Sequence, residues 1–156
     1  MEQYLIQLAE DKASRVVATW SWLIPPTTRL PATTVFGDLF LADGSDHVAW
    51  LNTLEGTVTQ VASSIEEWRA RARRPEIEEE WFWPGFLESL RRYGTPLGAG
   101  QCYGWTIHPL IGGPLEVSNL APIDIVAYHT FVSTLHRTPP GTVIRGFTID
   151  GAEPGT

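Results

Sequence analysis

Gly98-Ala99-Gly100-Gln101-Cys102-Tyr103-Gly104-Trp105, continued by Ile107-His108-Pro109-Leu110-Ile111-Gly112-Gly113, decides how this chain is read. Cys102 to His108 has the composition of a strand, entered from glycine turns and bent at Gly112-Gly113-Pro114. On such a strand Tyr103 and Trp105 project to one face, Cys102 and Gly104 to the other. A small residue at 102 lets a helix pack closely. Cys102 is also the only cysteine of the chain, so the same stretch raises the question of catalysis.

On the N-terminal side, Gln3 to Leu23 reads as a helix stopped by Pro25-Pro26, because Leu5, Leu8, Val16, Ala18, Trp20 and Leu23 recur at roughly helical spacing. Thr27 to Pro31 reads as a loop. Three short strands follow, over Val35 to Leu41, His47 to Asn52 and Thr57 to Ala62, with turns at Asp43-Gly44-Ser45-Asp46 and Glu55-Gly56. Ser63 or Ser64 caps a helix whose first turn is acidic (Glu66, Glu67) and whose end is basic (Arg69, Arg71, Arg73, Arg74), in accord with the helix dipole. Ile77 to Tyr93 reads as a further helix with a break at Pro84-Gly85 and a C-terminal stop at Gly94. On the C-terminal side, Ile123 to His136 is a helix with Ile125, Val126, His129, Val132, Ser133 and His136 near one face. Val143 to Ile149 is an expected edge strand, and residues 151–156 an expected mobile tail. Strands and helices cluster by segment, which predicts an α+β domain over residues 1–150. Its antiparallel sheet has about four or five strands packed by helices on one face.

The chain has 156 residues, 43% hydrophobic, enough for one ordinary core. No apolar run is long enough for a membrane span, and the start lacks the basic and apolar pattern of a signal peptide. One cysteine forms no internal disulfide. The expectation is a cytoplasmic protein with no membrane contact. A net charge of −7 disfavours direct nucleic-acid binding and suits a basic protein partner. Seven tryptophans supply core and interface alike.

Chemistry finds little to build on. A nucleophilic Cys102 needs a base, yet His108 lies six residues along the same expected strand, about 20 Å away. Only His129 or His136 could approach it through the fold, which leaves open a small hydrolase or ligand-binding protein with a pocket near Cys102 and His129. His129 and His136 are two helical turns apart, roughly 10 Å, too far to share a metal. Asp43-Gly44-Ser45-Asp46 lacks the remaining ligands of a calcium loop. No nucleophile elbow, phosphate loop or dinucleotide fingerprint occurs. No metal, cofactor or catalytic residue is expected. What stands out is a docking surface: Glu76, Glu78, Glu79 and Glu80 beside Trp81 and Trp83, with Asp43, Asp46 and Glu55 at the hairpin tips as second choice.

The order of Val35-Phe36-Gly37-Asp38-Leu39-Phe40-Leu41, Val48-Ala49-Trp50-Leu51, Gln60-Val61-Ala62-Ser63-Ser64-Ile65-Glu66-Glu67, Glu79-Glu80-Trp81, Gly100-Gln101-Cys102-Tyr103-Gly104-Trp105 and Leu110-Ile111-Gly112-Gly113 resembles the C-terminal domain of type VI secretion immunity proteins that neutralise a DNase effector. That domain is often found behind a GAD-like domain and is allied to the Smi/Knr-like superfamily. The resemblance spans roughly residues 23 to 142. It implies an immunity protein that binds a cognate secreted toxin, of a type VI or polymorphic system and possibly a nuclease, and occludes its active site. It implies no catalytic residues, so the recurring positions read as scaffold. A regulatory scaffold that has changed partners reads the same way from sequence.

Overall fold

The computed structural model describes residues 1–138, together with the backbone of two short strands, Val143–Ile144 and Phe147–Thr148. These two pair with each other, so the edge strand expected at Val143 to Ile149 is not part of the main sheet. The expected tail at 151–156 lies outside the described residues.

The main sheet is antiparallel and has five strands in sequence order: β1 (Leu5–Ile6), β2 (Arg29–Thr34), β3 (Leu39–Ala42), β4 (Val48–Asn52) and β5 (Thr57–Ala62). Its centre is β3, paired with β4 through Leu39–Leu51, Phe40–Trp50, Leu41–Ala49 and Ala42–Val48. All four β3 residues are buried. With five α-helices among the described residues, α1 (Glu10–Ala18), α2 (Ile65–Arg71), α3 (Pro75–Phe82), α4 (Pro84–Tyr93) and α5 (Ile125–Arg137), the architecture is α+β.

Two N-terminal expectations are corrected. The helix read over Gln3 to Leu23 is confined to α1. Leu5 and Ile6 pair instead with Thr34 and Thr33 as an edge strand, and residues 19–24 continue in tight turns. The loop read at Thr27 to Pro31 is largely strand β2. Its register shifts between Arg29 and Ala32, where three β2 residues span the length of two on β3. That bulge accommodates Pro31, whose ring supplies no N–H to a ladder. Val35-Phe36-Gly37-Asp38, read as strand, is the β2–β3 turn, closed by Thr34 N–H to the Asp38 carbonyl at 2.9 Å. Gly37 there has φ +89°, a backbone conformation unfavourable to any side chain.

Aromatic packing locks α3 onto the sheet. Phe40 lies 5.1 Å from both Trp68 of α2 and Trp81 of α3, and 6.1 Å from Phe82. Tyr4 stacks on Phe82 at 4.8 Å. The expected cap of α2 is Ser64: its hydroxyl accepts from Glu67 N–H at 3.1 Å, and the Glu67 carboxylate reaches back to Ser63 N–H at 2.9 Å. The expected break at Pro84 is a full stop between α3 and α4, with Trp83 in the left-handed region at φ 47°.

The Gly98–Trp105 stretch does form a strand, β6 (Gln101–Trp105), but it stands outside the main sheet and pairs with β7 (Leu120–Asp124) alone. Its tie to the sheet is Tyr103 N–H to the Val35 carbonyl, 2.7 Å. The expected parity holds. A methyl group at Gly104 would lie 2.7 Å from the Tyr128 ring of α5, so the small-residue face is where that helix seats. The strand ends at Trp105, short of the expected His108, which caps a single 3-10 turn where Gly112 takes φ +98°.

Candidate functional site

Cys102 is fully buried, and burial pushes its thiol well above the ordinary cysteine range. Its Sγ packs about Gly37, 3.2 Å from where a methyl group would stand there. His129 is also fully buried, and both ring nitrogens are engaged. Trp20 Nε1–H donates to Nδ1 at 2.9 Å, which leaves the proton on Nε2 to donate to the Gly37 carbonyl at 2.7 Å. His108 repeats the pattern. Leu110 N–H donates to Nδ1 at 3.1 Å and Nε2–H donates to the Thr53 carbonyl at 3.1 Å. Burial lowers both imidazoles to about 4. His136 reaches the same Thr53 carbonyl at 2.8 Å, and burial lowers it too. These histidines are neutral donors to backbone carbonyls, and a protonated thiol faces none of them as a base. The hydrolase alternative near Cys102 and His129 therefore has neither nucleophile nor base. Among the described residues no three His, Cys, Asp or Glu side chains converge on a metal position.

The acidic run divides by helical geometry. Glu76, Glu79 and Glu80, at i, i+3 and i+4, are exposed along one face of α3. Glu78 is half-buried and accepts from the Tyr4 hydroxyl at 2.9 Å. Trp81 is 5% exposed and belongs to the core, which corrects its place beside the glutamates on a docking surface. Trp83 is half-buried at the α3–α4 joint. The hairpin tips are exposed, as expected, but are not one surface. Asp43 and Asp46 precede β4 and Glu55 follows it, so the five-residue strand puts them at opposite ends, about 17 Å apart. Asp46 is ion-paired with Arg29. Asp43 accepts from His47 Nδ1 at 3.0 Å and from two backbone amides, which lower its carboxyl below the ordinary range.

A further site emerges where three segments meet. The Asp38 carboxylate accepts from Thr53 N–H at 3.0 Å, Thr53 Oγ1–H at 2.7 Å and Trp50 Nε1–H at 3.1 Å. Desolvation outweighs these bonds and pushes it up to about 6. Asp38, half-buried, sits at the base of a narrow cleft walled by Phe36, Trp81, Trp83, Tyr103 and Trp105. Trp83 lies 5.5 Å from Phe36 and 6.0 Å from Trp105, ring centre to ring centre. The free volume of the cleft is about 10 Å³, room for one water-sized group. Sequence reading puts Tyr103 and Trp105 on one face. It missed that this face meets the β2–β3 turn and the α3–α4 joint, contacts made by segments far apart in the chain. The shared parity of Tyr103 and Trp105 was the one local signal.

No helix among the described residues is long and apolar enough to cross a membrane. Comparison with curated proteins gives no match. Among solved structures, the crystal structure of Atu4351 from Agrobacterium tumefaciens is similar over 88% of this chain and 69% of that one, with 20% identity and a TM-score of 0.57, a likeness of fold. Residues 62–136, which run from the end of β5 through nearly all of α5, match the model of the family described as T6SS immunity protein Tdi1, C-terminal, the same kind of domain the sequence resemblance points to.

Proposed function

We propose that this protein is an immunity protein that binds a cognate secreted toxin in the cytoplasm and covers its active site, with no catalysis of its own. The observation that carries the reading is the family match over residues 62–136. The arrangement of groups supports it: the one cysteine is shut away and unreactive, and the buried histidines are committed to backbone carbonyls. A basic toxin, such as a nuclease, is the partner that the net charge of −7 suits. The exposed Glu76–Glu79–Glu80 face is the proposed contact, with Trp83 beside its end and Glu78 braced by Tyr4. Asp43, Asp46 and Glu55 are weaker candidates, because Arg29 and His47 already engage the first two. Exposed Arg69, Arg71, Arg73 and Arg74 immediately precede this face, so its negative field is local and acts at short range.

Co-expression with the toxin encoded beside the gene tests the reading. Survival with the intact protein, and loss of survival without it, is the expected result. A toxin that kills equally in both strains refutes it. Reversing Glu76, Glu79 and Glu80 to Lys is expected to slow association at least tenfold at low salt and to flatten its salt dependence. Unchanged association would remove that face from the contact.

A further inference from the structure

The cleft at Asp38 has features that scaffold alone does not require. A desolvated carboxylate in a protein interior is ordinarily paired with a cation. Among the described residues no Lys, Arg or His forms an ion pair with Asp38. The titratable groups nearest in the field are Cys102 and Tyr128, both held protonated by burial, and Tyr103, whose hydroxyl is turned to the Thr95 carbonyl. Five aromatic rings line the cleft, and a ring face turned to a cation attracts it. Asp38 Oδ1 accepts two bonds while Oδ2 accepts one, from Trp50, so acceptor capacity remains.

We propose that this cleft receives the ammonium group of a lysine side chain from the partner toxin, with Asp38 as counter-ion and the alkyl stem leaving across the aromatic rim. The proposal rests on the immunity reading for its partner. The free volume decides among cations. About 10 Å³ holds one water-sized group, which an ammonium is and a planar guanidinium is not. Trp83 stands between Phe36 and Trp105 in the cleft wall. It is half-buried, and it alone among the five aromatic residues lies at a helix joint with positive φ. The cleft draws on both halves of the chain, Phe36 and Asp38 before residue 62 and the other four rings within the family match. It lies at the end of α3 that Glu80 approaches, so a basic segment held by the acidic face has the cleft beside it.

The test uses the isolated protein and n-butylammonium chloride as probe, with n-butylguanidinium chloride at equal ionic strength as control. The readout is the Trp50 indole N–H and Thr53 amide NMR signals, both donors to Asp38. Saturable shifts with butylammonium in the millimolar range, weak or absent with butylguanidinium and lost in Asp38→Asn, are expected. Asp38→Asn sets an amide N–H against Trp50 and needs a melting curve to show that it folds. Leu54→Lys, at a half-buried wall position, is the second variant and places a tethered ammonium at the mouth. It is expected to abolish probe binding with the fold intact. No saturable shift in the wild-type protein, equal response to both probes, or undiminished binding in folded Leu54→Lys overturns the proposal. In co-expression, protection by wild type with equal protection by Leu54→Lys overturns the cleft as the toxin contact while leaving immunity standing. Failure of the wild type to protect rejects the immunity reading itself, and the amine titration then still decides the chemistry of the cleft.

Discussion

Moving from pH 7 to pH 5 should destabilise this protein, and the imidazoles set the size of the effect. His108 and His129 fall from 6.5 to about 4 on folding. A depressed pKa contributes stability that is fully present above the unfolded value and is lost as pH falls toward the folded one. At pH 5 the loss is about 2 kcal/mol for each histidine by linkage. The cause is concrete: protonating Nδ1 of His129 sets an N–H against Trp20 Nε1–H, and protonating Nδ1 of His108 sets one against Leu110 N–H. His136 shifts in the same direction. Asp38 opposes them. Its pKa rises from 3.8 to about 6, so its contribution is present at low pH and is lost as pH rises through 6. On going to pH 5 it returns about 1 kcal/mol. The net expectation is a loss of about 2–3 kcal/mol, which lowers the urea midpoint by roughly 1–1.5 M for a slope of about 2 kcal/mol/M. Urea unfolding followed by tryptophan fluorescence at both pH values measures this directly. A midpoint at pH 5 equal to or above that at pH 7 refutes the assignment of neutral, carbonyl-bonded histidines. So would imidazole C–H resonances of His108 or His129 that titrate near the ordinary value.

Other expectations are sharper in position. Gly113→Ala should cost at least about 3 kcal/mol in chemical unfolding, because its methyl group would stand 1.6 Å from the Ile107 carbonyl oxygen, a clash only backbone movement relieves. An unchanged midpoint would rule out the turn as described. Ser64→Ala should cost about 1 kcal/mol by the same assay through loss of the Glu67 N–H cap, with Ser64→Asp retaining most of the stability. Ellman's reagent should leave Cys102 unmodified in native buffer and label it fully in urea. Stoichiometric labelling of the native protein within minutes would show the thiol to be accessible after all.

The parts legible in the sequence are those whose signals are local. Ser64 with Glu67, the stop at Pro84, the β4 and β5 strands and the inward face of α5 from Ile125 to Ser133 depend on caps, proline geometry and periodicity over a few residues. The misread parts depend on distant partners. Leu5 and Ile6 are strand because Thr33 and Thr34 offer an edge. β2 tolerates Pro31 because β3 lets it bulge. β6 is the strand its composition predicts, yet nothing local distinguishes pairing with β7 from pairing with β3. The acidic face was readable because helical spacing sorts Glu76, Glu79 and Glu80 from Glu78. Trp81 was not, because its burial depends on Phe40, forty-one positions earlier.

The two imidazoles that share the Thr53 carbonyl have a consequence for how this protein can be divided. His108, His129 and His136 all lie within the stretch matching the family, while the carbonyls they bind, at Gly37 and Thr53, lie before it. Trp68, Trp81 and Phe82 likewise sit inside the stretch and bury themselves on Phe40 outside it. A border drawn at residue 62 follows sequence similarity but cuts through one folding unit. An excised 62–136 fragment would carry three stranded imidazoles and an uncovered aromatic floor, and would be expected to aggregate. Any grafting, truncation or minimal neutralising peptide made from this protein must therefore carry the hairpins with the helices.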